Sequence, residues 1–258
     1  MRSNNRPWDA PKSPWLMKQS WKDLMFVHVP VDPAIIRPLL PPELELDTFN
    51  GQAWIGVTPF VLSHIRWRGL PPIPGAAGFP EINCRTYMTA GGKPGVFFFS
   101  LDAASRMAVE GARLTFGLPY FMCDARVDRV RDGIHYRTTR TDSRGEVATF
   151  HGEYRPVSDV FHAEPGTLEF FLTERYCLYT RYLGGLIWRA EIDHLPWPLQ
   201  NAEADIRINT MARAAGIQLP ETEPVLHFAR HIDVYVWSIL PVPQDELVNQ
   251  HSGQLITA

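Results

Sequence analysis

The sequence predicts one domain of mainly β structure, an α+β chain of antiparallel strands with a few short helices. Three observations carry this. Many of the 23 prolines fall in the clusters Pro38, Pro41, Pro42 and Pro71, Pro72, Pro74, Pro80. Such clusters disfavour long helices, because proline lacks the helical N–H and clashes with the preceding turn. The pairs Asn50-Gly51 and Asp132-Gly133 read as turns of the kind that join strands. No internal repeat or low-complexity linker divides the 258 residues, a length that can bury a sizeable core without metal or disulfide staples.

Residues 1–20 read as an N-terminal arm, 21–245 as the domain and 246–258 as a C-terminal tail. From Leu24, LMFVHVPV reads as a strand ended by Pro30 and Asp32. Asp32 then caps a short helix with Pro33 at its first position, running to about Leu40. Ala53 to Ile65 is an apolar, aromatic strand, and 66–79 is a loop rich in glycine and proline. Glu81–Met88 and Val96–Leu101 flank GGKPG, a hairpin with Lys93 at its exposed tip. Ala104, Met107, Ala108, Gly111 and Ala112 recur at helical spacing, a small-residue face suited to packing on a sheet, and Gly117 with Pro119 ends that helix. Strands are expected at 120–130, 134–141, about 146–155, 167–182 and in LHFARHIDVYVWSIL, with a helix around 202–215.

Composition narrows the function classes. A net charge of −3 gives no sign of a nucleic-acid or anionic-membrane partner. No apolar run approaches the ~20 residues of a membrane span. The polar, proline-rich start lacks an export core, so a cytoplasmic protein is expected. Cys84, Cys123 and Cys177 are odd in number and widely spaced, which reads as free thiols rather than disulfides or a zinc site. GxGxxG, GxxxxGK[ST] and GxSxG are all missing, so nucleotide cradles and a hydrolase elbow have no support. His227 and His231 stand four apart in a strand-like segment, roughly 13 Å from each other and too far for one ion. No cofactor and no metal are expected.

Two constellations stand out. In GFPEINCRTYM, strand alternation puts Glu81, Asn83, Arg85 and Tyr87 on one face, and Ile82, Cys84, Thr86 and Met88 on the other. That polar face is either a solvated surface or a polar interior. In EGARLTFGLPYF the helix stops at Gly117, and Tyr120 follows a rigid turn, where it either projects into a cavity or serves as an aromatic plug. Glu174 and Arg175 in LTERYCLY should point apart, with Arg175 paired to a carboxylate elsewhere. His194 and Trp197 in IDHLPWPLQ read as a packing corner.

The blocks WKDLMFVHVPVD, LPPELELDTFNGQAWIGVTPF, FPEINCRTYM, GVFFFSLDA, ARLTFGLPYF, LTERYCLY and HLPWPL together resemble the bacterial YqjF-like family of the acetoacetate decarboxylase-like superfamily. The resemblance runs from about Trp21 to about Leu240. It implies a cone-shaped antiparallel β-barrel with peripheral helices and an internal pocket, and it is compatible with a homo-oligomer. Acetoacetate decarboxylases carry a Gly-Phe-Pro-Lys turn whose lysine forms a Schiff base; the similar stretch here is Gly117-Leu118-Pro119-Tyr120, with tyrosine at the lysine position. Glu81 looks similar to the decarboxylases' pocket glutamate.

Three functions are therefore in play. The first is a non-imine, lyase- or isomerase-like enzyme acting on a small organic acid or carbonyl compound. Glu81 would be general acid or base, Tyr120 a phenolic donor, Arg85 or Arg113 the substrate anchor, and Asn83 and Tyr87 orienting groups. The second is a non-catalytic metabolite-binding or sensor module using the same pocket. The third is a structural protein whose polar residues only specify the barrel.

Overall fold

The computed structural model describes residues 5–70, 78–131 and 133–248. Its first strand, β1 (Met17–Val31), is buried without interruption from Asp23 to Val29, so both of its faces meet protein. This is why LMFVHVPV is a continuous apolar run rather than an alternating one. Asp32 caps α1 (Pro33–Ile36), its side chain accepting from the Ala34 N–H, and a 3-10 turn continues to Leu39. After β2 (Glu45–Leu46), Asn50 and Gly51 turn the chain at φ of 51° and 77° into β3 (Ala53–Trp67). β4 (Phe79–Ala90) and β5 (Lys93–Ala103) form the expected hairpin around Gly91-Gly92. Next come α2 (Arg106–Phe116), β6 (Tyr120–Val130), β7 (Gly133–Arg140) and β8 (Thr149–Pro156). The chain ends with α3 (Leu168–Thr173), β9 (Cys177–Tyr182), β10 (Leu186–His194), β11 (Leu199–Asn209), α4 (Met211–Ala214), β12 (Val225–Val236) and β13 (Leu240–Pro241).

The strands close into two rings that share a wall. β5, β4, β3, β1 and β12 pair in that order and form the wall. One ring is completed by β6, β7, β8 and β11, the other by β9 and β10, with β10 pairing back to β12. A separate core lies against each face of the wall. Met25, Val27, Ile55, Val57, Ile82 and Cys84 pack with Tyr136, Phe150 and Tyr154 of the first ring. Leu24, Phe26, Phe60, Leu62, Leu101 and Val234 pack with Ala190 of β10 and with Trp197, which follows it. Each fully buried aliphatic or aromatic side chain contributes roughly 1.5–3 kcal/mol, so this doubly covered wall anchors the fold. The buried pair Asp102–Arg140 ties β5 to β7, bidentate at 2.6 and 2.8 Å. Among the described residues, no helix is long and apolar enough to cross a membrane.

Several expectations need correction. The strands pair mostly antiparallel, with two exceptions: β5 pairs in parallel with β6, to which the α2 crossover returns the chain in the same direction, and in parallel with β9. β1 begins seven residues before Leu24. Lys93 is not at an exposed tip; its Nζ bonds Glu191 Oε1 at 3.0 Å, while Arg6 and the Trp8 indole meet the other oxygen, fastening the N-terminal segment to β10. α2 buries Val109 and Phe116, half-buries Ala108 and Ala112 and exposes Met107 and Gly111, so its packed face coincides only in part with the expected small-residue face. Residues 168–173 are helical, capped by Thr167, and 202–209 are strand. The tip of the 66–79 loop (71–77) and Asp132 lie outside the described residues.

Candidate functional site

β4 carries the polar face into the second ring. Glu81, Asn83, Arg85 and Tyr87 are 3, 4, 8 and 0% exposed, so this face is not solvated. Its neighbours across the β3 and β5 ladders are Phe60, Thr58, Gly56, Leu101 and Phe98. Phe98 shares that side with Arg85. Phe97 and Phe99 meet edge-on and pack with Cys177, Met88 and Leu40 on the opposite face, so of these three phenylalanines only Phe98 adjoins Arg85.

Tyr120 reaches the same face from another strand. Gly117 ends α2 at φ 62°, where a Cβ would strike the Tyr182 ring at 2.2 Å, so only glycine fits this turn. Tyr120 then enters β6 opposite Leu101, and its hydroxyl donates to Glu81 Oε1 at 3.1 Å. Burial pushes the Glu81 carboxyl up to about 8, against the pull of the Tyr120 hydrogen bond. Burial and the neighbouring Glu81 hold the Tyr120 phenol well above its ordinary value. At neutral pH the pair is therefore a carboxylic acid beside a phenol, with the acid close to its titration point, as general acid–base chemistry needs. Arg113 lies outside this cluster: it donates to the Tyr120 backbone carbonyl at 2.7 Å and so holds the tyrosine's backbone in place.

Arg85 occupies the other end of the face. Its guanidinium lies 5.3 Å from the Phe26 ring centre and 5.8 Å from that of Tyr87. It forms no salt bridge among the described residues, and its buried Nε has no hydrogen-bond partner there. The contrast with its fellows is sharp, since Arg140 is paired to Asp102 and Arg175 to Asp47 at 2.5 Å. A buried cation without a counter-ion is costly and suits an anion site. Gly56 makes room for it: a Cβ there would stand 3.3 Å from Arg85 Cγ and 3.1 Å from His28 Cδ2.

The remaining residues divide. Tyr87 is engaged, its hydroxyl donating to the Leu172 carbonyl at 2.9 Å and meeting His28 Nε2 at 2.7 Å. Asn83 Oδ1 and the adjacent Thr58 Oγ1 are buried without partners among the described residues. His28 and Thr58 escaped the sequence reading; a polar residue on an otherwise apolar strand, as in LMFVHVPV, was the available signal. The corner reading of His194 and Trp197 holds, with His194 stacked on Tyr176 at 4.6 Å and 5.3 Å from Trp197. All three cysteines are buried, with thiols pushed up to about 12, which suppresses nucleophilic thiolate. His227 is buried and His231 exposed beside Asp233.

The model of DUF2071, an uncharacterized conserved protein family, matches residues 18–233. The chain belongs to this family. The uncharacterized protein YqjF of Bacillus subtilis (strain 168) is 52% identical over 230 residues, 89% of this chain and 94% of that protein. Solved structures similar to this chain share its fold at low identity. The enduracididine biosynthesis enzyme MppR complexed with pyruvate superposes with TM-score 0.60 at 14% identity, covering 92% of this chain and 93% of that one. An acetoacetate decarboxylase-like enzyme from Sphingomonas wittichii RW1 gives 0.60 at 13%, covering 92% and 99%. Acetoacetate decarboxylase from Legionella pneumophila gives 0.56 at 14%, covering 93% and 94%. The fold of this DUF2071 chain is thus acetoacetate decarboxylase-like.

Proposed function

We propose that the protein is an acid–base enzyme acting on a short organic acid or carbonyl compound by a mechanism without an imine. The observation that carries this reading is the Glu81–Tyr120 contact at 3.1 Å, on the same strand face as the unpaired, buried Arg85. Arg85 anchors the substrate carboxylate through its fork of donors. Glu81 donates or removes a proton at the reacting carbon or oxygen, and the Tyr120 hydroxyl supports negative charge developing on that oxygen. Asn83 orients the substrate between the two ends. MppR, with the same fold, is solved with pyruvate, a ligand of this chemical class.

Tyrosine at position 120 cannot condense with a ketone, and the lysines lie elsewhere. Lys18 pairs with Asp233 at 2.8 Å, Lys93 with Glu191 at 3.0 Å, and Lys12 and Lys22 sit at the arm and on β1. Acetoacetate with borohydride should accordingly leave the intact mass unchanged. Short acids such as pyruvate and acetoacetate should raise the melting temperature in proportion to RT ln(1 + [L]/Kd), and Arg85→Ala should abolish the rise. Binding with unchanged affinity in a folded Arg85→Ala protein would defeat the proposal. Binding without turnover by the wild type, across this class of acids, would favour a metabolite-binding module instead.

A further inference from the structure

A second group of buried polar side chains adjoins Arg85 and takes no part in the acid–base pair. They gather around the fully buried Phe26 ring. His28 is stacked on it at 5.6 Å, Trp197 meets it edge-on at 5.0 Å, and the Arg85 guanidinium lies at 5.3 Å. His227 is the cross-strand partner of Phe26 on β12. These four residues are 0, 2, 8 and 3% exposed, in the order His28, Trp197, Arg85, His227. His28 Nδ1, Trp197 Nε1, Arg85 Nε and His227 Nδ1 all lack a hydrogen-bond partner among the described residues. Buried polar atoms left unpaired cost about 1–3 kcal/mol each and are few in native proteins. Four around one ring therefore mark a place built to receive something.

The hydrogen-bonding sense of these atoms follows from chemistry. The Tyr87 hydroxyl spends its proton on the Leu172 carbonyl, so it accepts from His28 Nε2–H. A neutral imidazole with its proton on Nε2 presents Nδ1 as an acceptor. Burial and the nearby Arg85 charge keep His28 neutral. Arg85 Nε and Trp197 Nε1 can only donate. A ligand at this ring must therefore accept from two donors and also donate to an imidazole.

We propose that the Phe26 ring is the floor of a subsite for a carboxylic acid that also bears a hydroxyl group. The carboxylate accepts from Arg85 and Trp197, and the hydroxyl donates to His28 Nδ1, with His227 as the second imidazole beside it. An ammonium in place of the hydroxyl is disfavoured, because it would set a second cation in this buried site beside the Arg85 guanidinium, whose charge the single carboxylate already balances. The inference rests on the reading of Arg85 as a carboxylate anchor and adds the hydroxyl requirement to it.

Calorimetric titration of the full chain at pH 7 with 3-hydroxybutyrate, butyrate and 3-aminobutyrate tests it. The hydroxy acid should bind about tenfold or more tightly than butyrate, since a site built to bond a hydroxyl discriminates against the analogue lacking it. The amino acid should bind no more tightly than butyrate. His28→Phe should erase the hydroxyl preference while butyrate affinity persists. Trp197→Phe, which keeps an aromatic ring and removes the N–H, should weaken both acids alike, so the subsite stays testable if the His28 variant fails to fold. Equal binding of the hydroxylated and plain acids, tighter binding of the amino acid, or a preference that survives a folded His28→Phe overturns the subsite and leaves the Arg85 anchor standing. Failure of every acid to bind in an Arg85-dependent way overturns the anchor itself.

Discussion

The Tyr120 hydroxyl and Glu81 Oε1 meet at 3.1 Å although 39 positions separate them in the chain. Three local features bring them together: the glycine stop of α2, the parallel pairing of Leu101 with Tyr120, and the antiparallel pairing of Glu81 with Ala103. Glu81 and Tyr120 thus reach one side of the wall from two different strands.

The first consequence is a pH-dependent stability. The folded state raises the Glu81 pKa from 4.5 to about 8, so it retains a proton that the unfolded chain has lost. Stability from this group is complete below the unfolded value and declines as pH rises through 4.5 towards 8, by up to about 1.4 kcal/mol per pH unit. Glu81→Gln keeps an acceptor for Tyr120 and removes the titration. Urea denaturation should find the variant more stable than wild type at pH 8 by about 2–4 kcal/mol, with the gap closing towards pH 5. A gap that is constant with pH would count against a buried, titrating Glu81.

Tyr120→Phe removes the one hydrogen bond that opposes the rise of the Glu81 pKa. Its stability should change little, by about 1 kcal/mol, the net worth of one hydrogen bond. The Glu81 ionisation, followed by carboxyl carbon NMR, should move upward from its wild-type position, and any turnover should fall. A downward move would contradict the donor role.

How much of this was legible depended on range. The Asp32 cap, the Asn50-Gly51 turn and the Gly117 stop are local devices, and each was readable from two or three residues. The helix expected around 202–215 is strand over its first half, where Ala202, Ala204 and Ile206 are half-buried alternately with exposed Glu203, Asp205 and Arg207. Period two, reinforced by pairing with β8, overrode helix propensity. LEFFLT is too short an apolar run for periodicity to separate helix from strand. The polar face of β4 was legible from alternation, but its burial was not. Burial requires knowing that Tyr120 of β6, Phe26 and His28 of β1 and Leu172 of α3 meet it, which is a matter of non-local packing. That Arg85 lacks a carboxylate, while Arg140 and Arg175 have one, is likewise invisible until the strands are assembled.

Arg85 leads to a stability prediction opposite to that for a paired arginine. Truncating one half of a buried ion pair is costly, about 3–5 kcal/mol, and Arg140→Ala should show such a loss because it strands Asp102. Arg85→Met strands nothing. The variant should unfold at equal or higher urea concentration than wild type, gaining up to about 1–3 kcal/mol from removing an uncompensated buried charge, while losing the response to short acids. A marked destabilisation would mean that Arg85 has a structural partner after all.

Gly56 provides the final test, because it separates packing from ligand recognition. Alanine there would place a Cβ 3.1 Å from His28 Cδ2, 3.2 Å from His28 Nε2 and 3.3 Å from Arg85 Cγ. His28 is held by its hydrogen bond to Tyr87 and cannot easily yield, whereas Arg85 is held only by its contacts with the Phe26 and Tyr87 rings and its Nε has no hydrogen-bond partner among the described residues. The guanidinium is therefore the group that shifts, at a modest overpacking cost of about 1 kcal/mol. Acid binding should weaken markedly in this variant while the fold persists. Gly95→Ala is the control: its Cβ would meet Cys177 Sγ at 2.6 Å and the Cys177 carbonyl at 2.8 Å, backbone that cannot move aside. That variant should lose more stability than Gly56→Ala, yet whatever remains folded should bind acids as the wild type does. If the two variants lose binding in proportion to stability, Gly56 acts through the fold alone and not through the position of Arg85.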